Sequence, residues 1–168
     1  MQPAEARQSE LAVPSGPTHV MIIEARFYEA IADELVKGAI AALERVGATY
    51  ERFAVPGAFE IPAAIRIAHG ASQKAGGQAR FDGYVALGCV IRGETSHYDY
   101  VCGESARGLQ DLAVRHGVAI GYGILTVDTE AQAWVRAKVD QGNKGAAAAE
   151  ACLALVALQR ELGHDAAQ

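Results

Sequence analysis

Along the chain, short unbroken apolar runs alternate with longer stretches in which apolar residues recur every three or four positions. "HVMIIEA" (19–25) predicts a short buried strand. Residues 28–46 carry Ile31, Leu35, Ala39, Ala42, Leu43 and Val46 at helical spacing, and Gly47 stands where helices commonly end. "TYERFAV" (49–55) alternates, as a second strand would. Pro56 and Gly57 then turn the chain into a helix whose apolar face is Ile61, Ala64, Ile65 and Ala68, with Pro62 in its first turn. "GASQKAGGQAR" (70–80) has no period and reads as a loop. "YVALGCVI" (84–91) is almost wholly apolar, the mark of a central parallel strand covered on both faces. A helix runs from near Ser96 to about His116, followed by a fourth strand of the same buried kind over 118–127. Two further helices, 129–138 and 143–162, are separated at Gly142.

This alternation predicts an α/β fold: a four-stranded parallel sheet with helices on both faces and right-handed crossovers. Residues 1–17, with Pro3, Pro14 and Pro17, read as a flexible arm, 18–163 as one domain and 164–168 as a tail. Ligands of such sheets bind beyond the carboxyl ends of the strands. Those ends fall at 25–27, 55–60, 91–97 and 126–128. The last helix is apolar over most of its girth: Cys152, Leu153 and Val156 lie on one side, Leu155, Leu158 and Leu162 on another. That width predicts either a second neighbour from another subunit or a helix deeply buried in a monomer.

Composition narrows the function classes. A length of 168 residues suits one domain, and 51% hydrophobic with 21% charged residues supports a packed core. The formal net charge is −5 and no Lys/Arg cluster occurs, which argues against nucleic acid as the main partner. Three cysteines, an odd number without a C-x-x-C, argue against a disulfide framework or a zinc site and for a reducing, cytoplasmic setting. The opening residues lack the apolar stretch of a secretory signal, and no apolar run approaches the ~20 residues that span a bilayer.

The chemistry gathers in "VIRGETSHYDYV" (90–101), where a buried strand passes into a helix. Ser96 with Asp99 three residues on reads as a capping pair. His97 lies in the first helical turn, where it reads as a neutral imidazole usable as a general base or as a polar residue that faces water. The backbone N–H groups of Gly93, Glu94 and Thr95 at this helix start form an anion site suited to phosphate. The nucleotide fingerprints G-x-x-x-x-G-K-[ST] and G-x-G-x-x-G are absent. Glu60 reads equally as a ligand or as a helix-dipole partner, Phe27 as a stacking face or a core residue, and Arg136 and Lys144 as site cations or solvated charges. His19, His69, His116 and His164 have no metal-ligand spacing.

Five stretches carry a resemblance to a known family: "ARF" (25–27), "VPGAFEIP" (55–62), "GCVIRGETSHYDYV" (88–101), "GILTVDTEAQAWVRA" (123–137) and "GNKG" (142–145). In this order and spacing they resemble lumazine synthase, over essentially all of 19–162. The resemblance implies a flavodoxin-like three-layer sandwich and a condensation without metal or organic cofactor. The implied substrates are 5-amino-6-(D-ribitylamino)uracil and 3,4-dihydroxy-2-butanone 4-phosphate. It further implies a homopentamer, or multiples of one, with active sites between adjacent subunits. The implied roles are proton transfer by His97 and a phosphate cradle at the main chain of Glu94 and Thr95. Phe27 would stack on the pyrimidine and Cys89, Val90 and Ile91 would bond to its edge. Ala58, Phe59 and Glu60 would line the ribityl chain. From a neighbouring subunit, Arg136 would pair with the phosphate, Lys144 would lie near it and Tyr122 would close the pocket. Departures from the family pattern are Cys89 for a common Thr, Glu94 for a frequent Ala, Tyr122 for a frequent Phe, and Ala147 where many members carry a carboxylate. "KVDQ" (138–141) lacks the Gly-Thr-Lys run of shell-forming members, which favours a pentamer or decamer. A non-catalytic flavin- or lumazine-binding protein, or a scaffold paralogue, is the competing reading.

Overall fold

The computed structural model describes residues 11–74 and 78–163. The strands are β1 (His19–Ala25), β2 (Thr49–Val55), β3 (Gly83–Ile91) and β4 (Ile120–Val127). The helices are α1 (Glu29–Arg45), α2 (Ile61–Lys74, entered through a 3-10 turn at Ala58–Glu60), α3 (His97–His116), α4 (Glu130–Ala137) and α5 (Lys144–Glu161). All four strands are parallel, in the order β2-β1-β3-β4. One core lies under α1, α4 and α5 and includes Ile22, Leu35, Leu43, Val85, Leu87 and Leu153. The other, under α2 and α3, includes Met21, Ile23, Ile61, Ile65, Leu109 and Leu112. The two cores alternate along each central strand, so β1 and β3 are covered on both faces, as their apolar runs require. The predicted three-layer α/β architecture is the observed one.

Small residues set the spacing of the α5 layer. A Cβ at Gly121 would lie 1.8 Å from the Ala148 carbonyl oxygen, and one at Gly145 would lie 1.9 Å from that of Leu35. Glycines in β4 and at the start of α5 thus bring α5 backbone-close to the sheet and to α1. Ala148, Ala149 and Cys152 are buried at that contact.

Two expectations differ from the structure. Residues 70–74 continue α2 rather than starting a loop. The helical period there is carried by small residues, with Ser72 buried one turn beyond the half-buried Ala68. The Ser72 hydroxyl donates to the Ala68 carbonyl (3.3 Å) and accepts from the Arg80 N–H (3.2 Å), so a polar side chain stands in for an apolar one. β4 is an edge strand, not fully buried. Its Tyr122 and Thr126 project on the α2/α3 side, which two helices do not cover to the edge. At the start of the chain, residues 1–10 of the proposed arm lie outside the described residues, as do 164–168. Within 11–17, Pro14 is buried and the Ser15 and Pro17 carbonyls accept from the Arg160 guanidinium at 2.7 and 3.0 Å.

Gly121→Ala is expected to destabilise the fold by roughly 1–3 kcal/mol, because the new methyl group meets main chain that cannot rotate away. Denaturant unfolding followed by circular dichroism checks it; an unchanged midpoint would mean that α5 is not held against β4 as described.

Candidate active site

The strand order creates a crevice. From β1 the chain leaves into α1 on one face of the sheet, and from the neighbouring β3 it leaves into α3 on the other. Between two such strands the connections diverge and leave room for a ligand at the carboxyl ends. Register deepens the opening. β1 pairs with β3 only from Val20↔Gly83 to Glu24↔Leu87, whereas β3 and β4 stay paired to Ile91↔Val127. The last residues of β3 therefore have no strand on their β1 side. The N–H groups of Tyr84 and Arg92 donate into β4, to Ala119 and Val127 (2.8 and 2.9 Å). With a period of two, the main-chain groups of Cys89 and Ile91 face the open edge, and those of Val90 face β4.

Each side chain at this edge has a local cause. Phe27 follows the end of β1 and is 74% exposed, with its ring edge-on to Tyr28 at 5.0 Å between centroids. Below it, the buried Glu24 carboxylate takes two bonds from Arg52 (2.8 and 3.0 Å) and one from Arg26 (3.1 Å). Arg26 also donates to Asp33 in α1 at 2.7 Å. Three charge-assisted bonds satisfy a carboxylate that would otherwise be costly to bury, and they hold the ends of β1 and β2 together. Ala58 is buried, and Phe59 and Glu60 are exposed. Glu60 Oε2 accepts from the Gly57 N–H at 3.0 Å. That is the helix-start reading, realised by one oxygen; among the described residues Oε1 has no hydrogen-bond donor.

The turn after β3 is built differently from the expected capping pair. Ser96 is helical (φ −67°, ψ −5°) and its side chain makes no capping bond. The residue before it acts instead: Thr95 Oγ1 accepts from the His97 N–H at 3.4 Å. Asp99 is drawn to Arg92, at 3.7 Å, so a cation takes the carboxylate that the pattern assigned to the cap. Among the described residues the N–H groups of Gly93, Glu94 and Thr95 have no acceptor, and no group hydrogen-bonds to the His97 ring. Both are free to meet a ligand, with the positive end of the α3 dipole behind them. Glu94 is exposed and, among the described residues, without a cationic partner.

Cys89 turns its thiol into the α1 side of the sheet, where burial pushes its pKa up to about 12. Only its main chain reaches the crevice, so sulfur replaces a hydroxyl there without presenting a nucleophile. Tyr122, Arg136 and Lys144 stand apart from this group. Tyr122 is 47% exposed on the β4 edge, level with Ala86. Arg136 donates to the Gln132 carbonyl (3.0 Å) in the last turn of α4, and Lys144 is exposed at the start of α5. These lie in the layer opposite α3 or on the far edge, so one chain does not bring them into its own crevice. Among the described residues no three His, Cys, Asp or Glu side chains gather to hold a metal ion. No helix there is long and apolar enough to cross a membrane. Arg92 had no assigned role in the sequence reading; the only hint was an Arg directly after an apolar strand, seven residues before an Asp.

Fold and edge together define a doubly wound α/β protein with a ligand crevice at its topological switch point, equipped for an anion and a planar ring. A profile of the 6,7-dimethyl-8-ribityllumazine synthase family matches residues 17–160. A 6,7-dimethyl-8-ribityllumazine synthase of Azorhizobium caulinodans is 56% identical over 147 residues, which is 88% of this chain and 90% of that protein. One from Methylorubrum populi is 56% identical over 157 residues (94% and 91%). 6,7-dimethyl-8-ribityllumazine synthase 1 of Rhizobium meliloti is 52% identical over 149 (89% and 96%). The chain belongs to the 6,7-dimethyl-8-ribityllumazine synthase family.

All three thiols are free, and burial also pushes Cys152 up to about 12. A raised pKa lowers the thiolate fraction at a given pH, to roughly 10⁻⁴ at pH 8 for a group at 12. Titration of the native protein with a disulfide reagent at pH 8 is expected to find at most the half-buried Cys102 reacting, and all three thiols after denaturation. Rapid reaction of Cys89 in the native protein would contradict its placement.

Proposed function

We infer that this chain condenses 5-amino-6-(D-ribitylamino)uracil with 3,4-dihydroxy-2-butanone 4-phosphate to 6,7-dimethyl-8-ribityllumazine, releasing phosphate and water. Family membership supplies the reaction. The observation that carries the assignment of the site is the open β3 edge running directly into three unpaired N–H groups and His97. A planar ring with donors and acceptors on its rim suits such a strand edge, and a phosphate suits such a turn.

On this reading Phe27 stacks on the pyrimidine. Cys89 and Ile91 bond to its rim through main-chain groups, with Val90 holding them in register against β4. Ala58 and Phe59 line the ribityl chain, and Glu60 accepts from its hydroxyls through Oε1. The main chain at Glu94 and Thr95 cradles the butanone phosphate. The amine attacks the ketone and one water leaves to give an imine, phosphate is then eliminated, and the ring closes through the second amine on the resulting carbonyl with loss of a second water. His97 carries protons between these steps. The N–H turn stabilises the charge that develops as phosphate departs. The chemistry needs no strong nucleophile, so most of the gain comes from holding two substrates in register.

The site is completed by a neighbouring subunit in a homopentamer or a multiple of it. The neighbour brings Arg136 as the planar partner of the phosphate, Lys144 beside the same anion, and Tyr122 as a cover. Leu155, Leu158 and Leu162, left exposed on α5, support a covering subunit. Three free thiols support a cytoplasmic location. The working unit is the single domain 18–163, onto which residues 14–17 dock through the buried Pro14 and the Arg160 bonds.

The test mixes purified protein with both substrates and follows lumazine absorbance and phosphate release against a protein-free blank. Expected is a rate well above blank with the two products in equal amounts; a rate at blank with ligand still bound would favour the non-catalytic reading. His97→Ala is expected to lower kcat about 10²-fold or more while pyrimidine binding is kept. Arg136→Ala is expected to raise the KM for the butanone phosphate about tenfold or more, against little change for the uracil. Equal effects on both substrates would remove Arg136 as the phosphate partner.

A further inference from the structure

The imidazole of His97 has no hydrogen-bond partner among the described residues, so its placement depends on the backbone turn that carries it. One side chain grips that turn. Arg92 leaves the end of β3 with its own N–H bonded to the Val127 carbonyl at 2.9 Å. Its Nε donates to Asp128 at the end of β4 (2.8 Å), and its Nη1 lies 3.7 Å from Asp99. Its guanidinium carbon sits 4.2 Å from the centroid of the Tyr98 ring. Tyr98 and Asp99 are the two residues that directly follow His97. The start of α3 is thus held from one planar group, by a charge on one residue and a cation–π contact on the other.

We propose that Arg92 is a positioning residue for His97: its guanidinium, anchored on Asp128, sets where the first turn of α3 presents the proton-transfer group. Simple stabilisation is a poor explanation of the cluster, because ion pairs this exposed contribute little to folding. A role as the substrate's cation fits no better. Nε is bonded to one carboxylate, Nη1 faces another, and the ring-facing side is taken by Tyr98. The rigid fork lets one side chain join β3, β4 and α3, which an ammonium group on a flexible stem does not do. The inference rests on His97 being the proton-transfer group.

Its test compares Arg92→Met, Arg92→Lys, Asp99→Asn and His97→Ala in the full-length protein. Steady-state kinetics are measured for both substrates, and amide hydrogen exchange is followed by mass spectrometry. For Arg92→Met the expected result is a fall in kcat of about tenfold or more with the KM for the uracil within about twofold, since small misplacements of a reacting group cost rate rather than binding. Amides of 99–103, the first hydrogen-bonded ones of α3, should exchange faster while those of β1 are unchanged. Arg92→Lys should recover only part of kcat. Asp99→Asn should show a smaller loss of the same kind, which keeps the idea testable if Arg92→Met fails to fold. Wild-type kcat in Arg92→Met, or a loss of kcat without faster exchange at 99–103, would overturn the positioning role. So would a rise in the uracil KM as large as the fall in kcat. If His97→Ala itself keeps wild-type kcat, the reading of His97 fails; if His97→Ala is slow and Arg92→Met is normal, only the role of Arg92 fails.

Discussion

A parallel sheet joined by right-handed crossovers obliges the chain to change faces whenever it reverses direction across the sheet, and this molecule reverses once. From β1 it steps to β2 over one face. From β2 it returns past β1 to β3 over the other. α1 and α3 must therefore leave neighbouring strands on opposite sides. The gap between them is as much a product of handedness as of any particular side chain. β3 outruns β1 by several residues, so the gap is floored by main-chain donors and acceptors that no strand uses. The crevice is an unfinished piece of sheet, floored by main-chain groups.

Reliance on main chain explains which departures from the family pattern the fold absorbs. Cys89 in place of Thr changes a side chain that points into the α1 core, not the groups that face the crevice. Glu94 in place of Ala adds a carboxylate to a residue whose contribution is an N–H. The side chain is exposed and the N–H is unaffected by its identity. Glu60 spends one oxygen on the Gly57 N–H of its own turn and leaves the other without a donor among the described residues, so its local reading does not exclude a ligand.

The layer of α1, α4 and α5 follows a different logic. Glycines and alanines bring its helices backbone-close to β4 and to one another, which buries the face of α5 that carries Ala148, Cys152 and Leu153 and leaves Leu155 and Leu158 outward. Arg136 and Lys144 belong to this side of the molecule, and Tyr122 lies on the outer edge of β4, on the α2/α3 side. The strand-end group lies at the crevice between β1 and β3, apart from them.

Most of the architecture was legible from hydrophobic period alone. Nearly unbroken apolar runs of strand length fit strands in a covered sheet, and three-to-four spacing fits helices that cover it from one side, so strand and helix order followed. The extension of α2 through 70–74 escaped because Ala68 and Ser72 carry the period without hydrophobic weight. The exposure of β4 escaped because an apolar sequence does not say whether a strand is central or at the edge. At the site, the sequence by itself determined which residues gather at the strand ends, since position at a strand's carboxyl end is set by chain order. Only the tertiary structure decided what each of them does there. Thr95 rather than Ser96 supports the turn. Asp99 turns to Arg92. Cys89 and Ile91, not Val90, face the open edge. These outcomes depend on register and on partners distant in sequence, such as Asp128 for Arg92, and a local pattern carries no information about which of two nearby groups a carboxylate will reach first.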